Sequence, residues 1–97
     1  MNYYTRKQVV ELLEIDEGFL VALEREEIVL RDAPAGASAE FSERMLERAR
    51  VAQNLVADLE VNLPGVAVIV RMREEMSEMR QRLAELAQEL RRGGRGG

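Results

Sequence analysis

The chain has 97 residues, 46% hydrophobic and 33% charged, with a net charge of −4 and neither cysteine nor histidine. This describes one small soluble domain, or a domain with an extension, and excludes disulfides, thiolate chemistry, imidazole metal sites and the commonest general base. No cofactor, metal or membrane partner is expected: the longest apolar run, 65-GVAVIV-70, is far below membrane-spanning length, and no secretory signal opens the chain. A cytoplasmic protein is therefore expected.

The charge is unevenly divided. Residues 1–43 hold four cations (Arg6, Lys7, Arg25, Arg31) against ten acids, whereas residues 44–97 hold ten arginines against eight acids. Aromatics are limited to Tyr3, Tyr4, Phe19 and Phe41. The core must then be aliphatic and methionine-based, and its small size favours oligomerisation.

In chain order, Thr5 and Gln8 form a capping box before Val9, Val10, Leu12 and Leu13, which predicts a helix over 6–13. The pattern breaks at 14-EID-16, and Asp16 is a good cap for a second helix over 17–26. Two short helices joined by about three residues fit a helix-turn-helix. Ile28, Val29 and Leu30 read as an extended piece and 33-APAGASA-39 as a loop. With Phe41 returning to the core, residues 28–41 are expected to form a small two-stranded wing. Ser42 caps a third helix whose apolar positions are Met45, Ala49, Ala52, Val56 and Leu59.

A break and restart follow at 62-NLPG-65, with Pro64 at a first-turn position. Nothing interrupts the next helix before Gly93, a run of about 28 residues or roughly 42 Å at 1.5 Å per residue. A small domain is only about 30 Å across, so this helix must project. Along it Ile69, Met72, Met76, Met79, Leu83, Leu86 and Leu90 keep a 3-4 spacing, the pattern of a coiled-coil seam. The first half of the stripe has a bland explanation in packing on the third helix. Leu83, Leu86 and Leu90 lie beyond that reach, so a homodimer is expected. The expected organisation is a winged helix-turn-helix domain with its third helix over 1–60, a dimerisation helix over 61–92 and a disordered tail over 93–97.

Little here supports catalysis. The hydroxyls are Tyr3, Tyr4, Thr5, Ser38, Ser42 and Ser77, and Thr5 and Ser42 are accounted for as caps. The paired carboxylates Glu26/Glu27 and Glu74/Glu75 are adjacent on helices and diverge. The chain is expected not to be an enzyme.

The opening YYTRKQVVELLEI, the following helix, the segment 28–41, the Ser42-capped helix and the restart VNLPGVAVIVRM together resemble the MerR-type winged-helix arrangement over nearly the whole chain. The NLPGV restart is the most specific piece. Short length and the LPGVAV segment look most like the chaperone-modulator (CbpM) family. The resemblance implies a mainly α fold, a winged helix-turn-helix followed by a helical hairpin with a long C-terminal helix. It also implies a non-enzymatic adaptor that binds the J-domain of a CbpA-like, DnaJ-type co-chaperone and restrains it. The alternative is a MerR-family DNA-binding transcriptional regulator.

The second helix bears on that choice. At 100° per residue, Phe19, Leu20 and Leu23 share one side, which leaves Glu17, Gly18, Val21, Glu24 and Arg25 on the other. A base-reading helix presents Arg, Lys, Asn or Gln, mainly from its N-terminal part. This one begins with Asp16 and Glu17. A carboxylate about 8 Å from a phosphate costs roughly 0.5 kcal/mol in water, and the larger deficit is the missing Lys and Arg attraction. The loop 33–40 contains no basic residue, where MerR-type DNA binders usually carry arginine. Strong nucleic-acid binding is therefore not expected. Asp16, Glu17, Val21, Glu24 and Arg25 are the expected partner contacts, facing the basic helix with which a J-domain engages its Hsp70. An ordinary solvated face is the bland reading of the same residues. The functional reading requires their carboxylates to be open to a partner rather than turned onto arginines of the same chain. For the regulator, Arg44, Arg48 and Arg50 are the candidate backbone contacts; their bland reading is a solvated helix surface shared with Glu43 and Glu47. A third possibility is a scaffold whose working part is the coiled-coil segment.

Overall fold

The computed structural model describes residues 2–96. Its elements are β1 (Tyr3–Tyr4), α1 (Arg6–Leu13), α2 (Glu17–Arg25), β2 (Phe41–Ser42), α3 (Glu43–Leu59) and α4 (Leu63–Gly96). The protein is mainly helical, with a helix-turn-helix near its start and a long helix at its end, as the sequence implies.

Local chemistry sets the helix boundaries. Thr5 Oγ1 accepts from the Gln8 backbone N–H at 3.1 Å and the Gln8 side chain accepts from the Thr5 N–H at 2.9 Å, closing the capping box that starts α1. Glu14 stops α1 in a left-handed conformation, φ 54°, and the chain turns into α2. Asp16 caps α2 through its backbone only, its carbonyl accepting from Phe19 and Leu20 at 3.1 and 3.2 Å. At the far end Glu27 is again left-handed, φ 56°, and the Ile28 N–H reaches back to the Leu23 carbonyl at 2.9 Å. This tight exit drives Ile28 and Val29 into the core. A left-handed non-glycine residue costs about 1–2 kcal/mol, which that burial offsets.

The expected wing within 28–41 takes a different form. β2 pairs antiparallel with the N-terminal β1, Tyr3 opposite Ser42 and Tyr4 opposite Phe41, and not with the segment around Ile28 to Leu30. Residues 33–39 are small or proline, poor material for a ladder. They loop out instead, and the Glu40 carbonyl closes the loop by accepting from Asp32 and Ala33 at 3.1 and 3.2 Å. The Asp32 carboxylate accepts from both the Ser42 N–H, at 2.8 Å, and the Ser42 hydroxyl. The loop base is thereby tied to the cap of α3.

Phe41, Leu20, Leu23, Ala49, Ala52 and Val66 are fully enclosed at the centre of the core, with Val9, Ile28, Val29 and Met45 around them. The Gln53 side-chain amide donates to the Leu13 carbonyl at 2.9 Å, so α3 satisfies the open end of α1. α4 restarts as expected: Asn62 Oδ1 accepts from the Gly65 N–H at 2.9 Å. A side chain at 65 would meet Val61 at 2.9 Å. Among the described residues of α4, Val66 and Val70 are the buried ones. Beyond the Glu74 contact with α3 the helix leaves the body of the protein, whose longest extent is 59 Å. It continues to Gly96, past the expected stop at Gly93, and Gly97 lies outside the described residues. The tail expected to be disordered is helical that far: each glycine disfavours helix by about 1 kcal/mol without forbidding it, and no proline intervenes.

Candidate partner-binding surfaces

The residues singled out on α2 divide into two kinds. Asp16, Glu17 and Arg25 are exposed, and Val21 is half-buried. The Asp16 carboxylate makes no capping bond, and Glu17 keeps 73% of its side-chain surface although it lies 3.7 Å from Arg6. Glu24 is different. Its carboxylate accepts from Arg6 at 2.7 Å, lies 3.8 Å from Arg31, and retains only 23% exposure. The Glu24 bond holds the Arg6 guanidinium above its ordinary pKa. Of the five expected contacts, Glu24 alone turns substantially onto the chain's own arginines. The wheel groups it with the outward residues, but α1 stands close enough for Arg6 to reach over it and leave it only partly exposed.

The same pairing removes cations from this end of the molecule. Arg31 also bonds Glu40 at 3.1 Å. Among the described residues of the acidic front half, Lys7 and Arg25 are then the two cations outside any ion pair. Around α2 the exposed acids Glu14, Asp16, Glu17, Glu26 and Glu27 remain.

The three α3 arginines are also engaged. Arg48 forms a two-pronged clasp on Glu74 of α4, its Nε on Oε2 at 2.8 Å and its Nη2 on Oε1 at 2.5 Å. Arg44 adds a bond to Oε1 at 2.8 Å, and Arg48 also donates to the Ile28 carbonyl at 3.3 Å. Arg50 pairs with Glu47 on its own helix. The Arg48 bonds, reinforced by Arg44 and opposed by partial burial, hold the Glu74 carboxyl at about 2. Arg44 is raised in turn by its bond to Glu74. Sequence reasoning missed this clasp. Its available signal was the i, i+4 spacing of Arg44 and Arg48, which puts both on one helix face; nothing in the periodicity named Glu74 as their partner.

The α4 stripe is bare. Ile69 is half-buried, and Met72, Met76, Met79, Leu83, Leu86 and Leu90 are between 49% and 75% exposed. The bland explanation, packing of the proximal half on α3, holds in part: α3 meets the face of α4 carrying Val66, Val70 and Glu74, and Met76 lines the rim of the groove that Arg44, Arg48 and Val51 form with α4, while Met72 and the distal leucines lie away from it. Among the described residues no group of three or more acidic side chains is arranged to hold a metal ion, and no helix is long and apolar enough to cross a membrane.

Comparison with known proteins adds to this geometry. Residues 4–88 match the family model described as MerR HTH family regulatory protein. Chaperone modulatory protein CbpM from Coxiella burnetii, in the Dugway 5J108-111 and the RSA 331 / Henzerling II strains alike, is 31% identical over 83 residues, covering 76% of this chain and 78% of the relative. No solved structure matches. A capped helix-turn-helix, a restart at Asn62 to Gly65 and a long terminal helix, matched from residue 4 to residue 88, make this chain a member of the MerR HTH family, of the CbpM-like kind.

Proposed function

We propose that this chain is a non-enzymatic chaperone modulator that binds the J-domain of a CbpA-like, DnaJ-type co-chaperone and restrains it by covering the basic helix used to engage Hsp70. The observation that carries the reading is a helix-turn-helix whose second helix presents exposed acids and no free row of cations. Asp16 and Glu17 make the charged contacts, Val21 adds apolar contact, and Arg25 marks the edge. Glu24 belongs to the same surface but acts mainly through Arg6, fixing α1 beside α2. Like-charged DNA phosphate is a poor ligand for such a surface, and a basic protein helix is a good one. The relatives' name, chaperone modulatory protein, points the same way. A second copy covers the α4 stripe, giving a homodimer.

The DNA-binding alternative keeps the fold as its support, but its candidate backbone contacts are weakened, because Arg44, Arg48 and Arg50 all hold carboxylates of this chain. Binding of the full chain to the purified J-domain, measured by calorimetry across a salt series, tests the proposal. Affinity should fall as salt rises, and Asp16→Lys with Glu17→Lys should weaken it at least tenfold. Salt-independent binding that is indifferent to both changes would reject the contact assignment. A tight, sequence-specific mobility shift on promoter DNA at moderate salt would favour the regulator instead.

A further inference from the structure

Two arginines in the middle of α4 have no acid to hold. Arg71 has Glu74 and Glu75 three and four residues on, and Arg82 has Glu78 four residues back and Glu85 three on. These are the spacings at which ion pairs form along one helix. Arg73 has Ile69, Val70, Met76 and Ser77 there instead, and Arg80 has Met76, Ser77, Leu83 and Ala84. Among the described residues, no carboxylate of another element lies within ion-pair distance of either one. Both are exposed.

Val70, Arg73, Ser77 and Arg80 step 3-4-3 and so share one face of α4. With the first half of α3, that face bounds a groove of about 600 Å³, within the range of small-molecule sites. Val70, buried, and Val51 of α3, half-buried, give the groove an apolar base. Its charged lining is unbalanced: Arg44, Arg48, Arg73 and Arg80 stand against Glu47 and Glu74. Both carboxylates are already taken, Glu47 by Arg50 and Glu74 by Arg48 and Arg44. Arg44 also feels Glu78 and Asp32 from outside the lining. The uncompensated positive charge therefore centres on Arg73 and Arg80, with the Ser77 hydroxyl between them.

We infer that the α3–α4 groove is a binding site for a small phosphate monoester with an apolar body, its phosphate held by Arg73, Arg80 and Ser77 and its body lying on Val51 and Val70. Arg73 and Arg80 are two turns apart, about 10.5 Å along the axis, and Ser77 is near the midpoint. Both side chains are long enough to close on one anion there, each with a planar fork of donors that matches phosphate oxygens. A phosphate monoester carries close to two negative charges at neutral pH and three strong acceptor oxygens, which suits two guanidinium groups and a hydroxyl. No aromatic side chain lines the groove, so a nucleobase has nothing to stack on and an aliphatic body fits better. The volume suits a short body and not the chains of a membrane lipid. Arg44 reaches the same space from α3, so an occupant touching both helices adds a tie across the hairpin beside the Glu74 clasp. No residue of α2 lines the groove, and the inference stands apart from the partner assigned to that helix.

Hexyl phosphate titrated into the full chain tests this, by calorimetry and by amide chemical shifts in nitrogen-15 spectra. Saturable binding with Kd below about 1 mM is expected, with the largest shifts in 44–51 and 70–80 and a rise in Tm. Inorganic phosphate, which lacks the body, should bind at least about fivefold more weakly. Hexanoate, with an apolar body and one charge, should also bind more weakly. Arg73→Gln with Arg80→Gln should reduce the affinity for hexyl phosphate at least about tenfold. Neither side chain has a partner to lose, so the double variant should melt as the native chain does. Arg82→Gln, outside the groove, should bind as the native chain does and controls for general attraction to arginine. No saturation by 10 mM, on the order of ten times the expected Kd, would overturn the site. So would an affinity untouched by the double variant, an equal loss in Arg82→Gln, or shifts concentrated elsewhere. Equal affinity for inorganic phosphate would overturn the apolar body, and equal affinity for hexanoate the doubly charged head.

Discussion

Replacing Glu74 by glutamine tests the clasp between α3 and α4 while keeping side-chain shape. The carboxylate is 27% exposed, Arg48 16% and Arg44 60%. A carboxyl held at about 2 rather than 4.5 corresponds to about 3 kcal/mol at 1.36 kcal/mol per pH unit. The exposed Arg44 arm is screened by solvent and salt, which reduces the net to about 2 kcal/mol. Glutamine also leaves the Arg48 guanidinium, mostly out of water, without a counter-charge. For a domain of this size about 2 kcal/mol lowers Tm by roughly 8–16 °C. The pH dependence has a definite sign. A carboxyl whose pKa is depressed by folding contributes fully above its unfolded value and loses that contribution as pH falls through its folded one. The native protein should therefore lose this increment between about pH 5 and pH 2, and the variant should show a flatter acid limb. Circular dichroism melts at fixed protein concentration from pH 7 to pH 3 provide the assay. A variant within 2 °C of the native Tm at pH 7, with an unchanged acid limb, would refute the energetic role assigned to the clasp.

Two further perturbations probe other parts of the account. Glu24→Ala strips the hydrogen-bonded partner from Arg6, which is 21% exposed and keeps only the longer Glu17 contact, and should cost about 1–2 kcal/mol in thermal stability; an unchanged melting curve would show that this pair is only a surface contact. Phe41→Ala empties the centre of the core, where the ring is fully buried. It should cost about 3–5 kcal/mol, read as loss of most of the cooperative unfolding transition in urea; a loss below 1 kcal/mol would mean the ring is not the anchor it is taken to be.

The helices were legible because their signals are local. Thr5 and Gln8, Ser42, and Asn62 with Pro64 each announce a boundary within four residues, and the structure places α1, α3 and α4 accordingly. The departures involve pairings between distant residues. The two-residue strand Tyr3–Tyr4 is too short to show alternation, and its partner lies at Phe41–Ser42 across two helices. Arg6 reaches Glu24 over 18 positions, and Arg48 reaches Glu74 over 26. Charge patterning names such residues as surface without saying which surfaces meet. On α2 the inward face was readable from Leu20 and Leu23, since a period of 3.6 fixes it. The status of Glu24 was not, because it depends on the distance between α1 and α2. The α4 stripe was legible for the opposite reason: a heptad pattern on a projecting helix is visible whatever the rest of the fold does.

The measurement that tests the central claim most directly is a charge exchange across the interface. Asp16→Lys with Glu17→Lys is titrated into the native J-domain and into one whose basic helix carries Lys→Glu changes at its centre. Complementary surfaces predict that the variant binds the native J-domain at least tenfold more weakly than the native chain does, and recovers most of that loss against the reversed J-domain. Equal affinity of the native and reversed chains for the native J-domain, with no recovery against the reversed one, would contradict the claim that this acidic helix is what the partner sees.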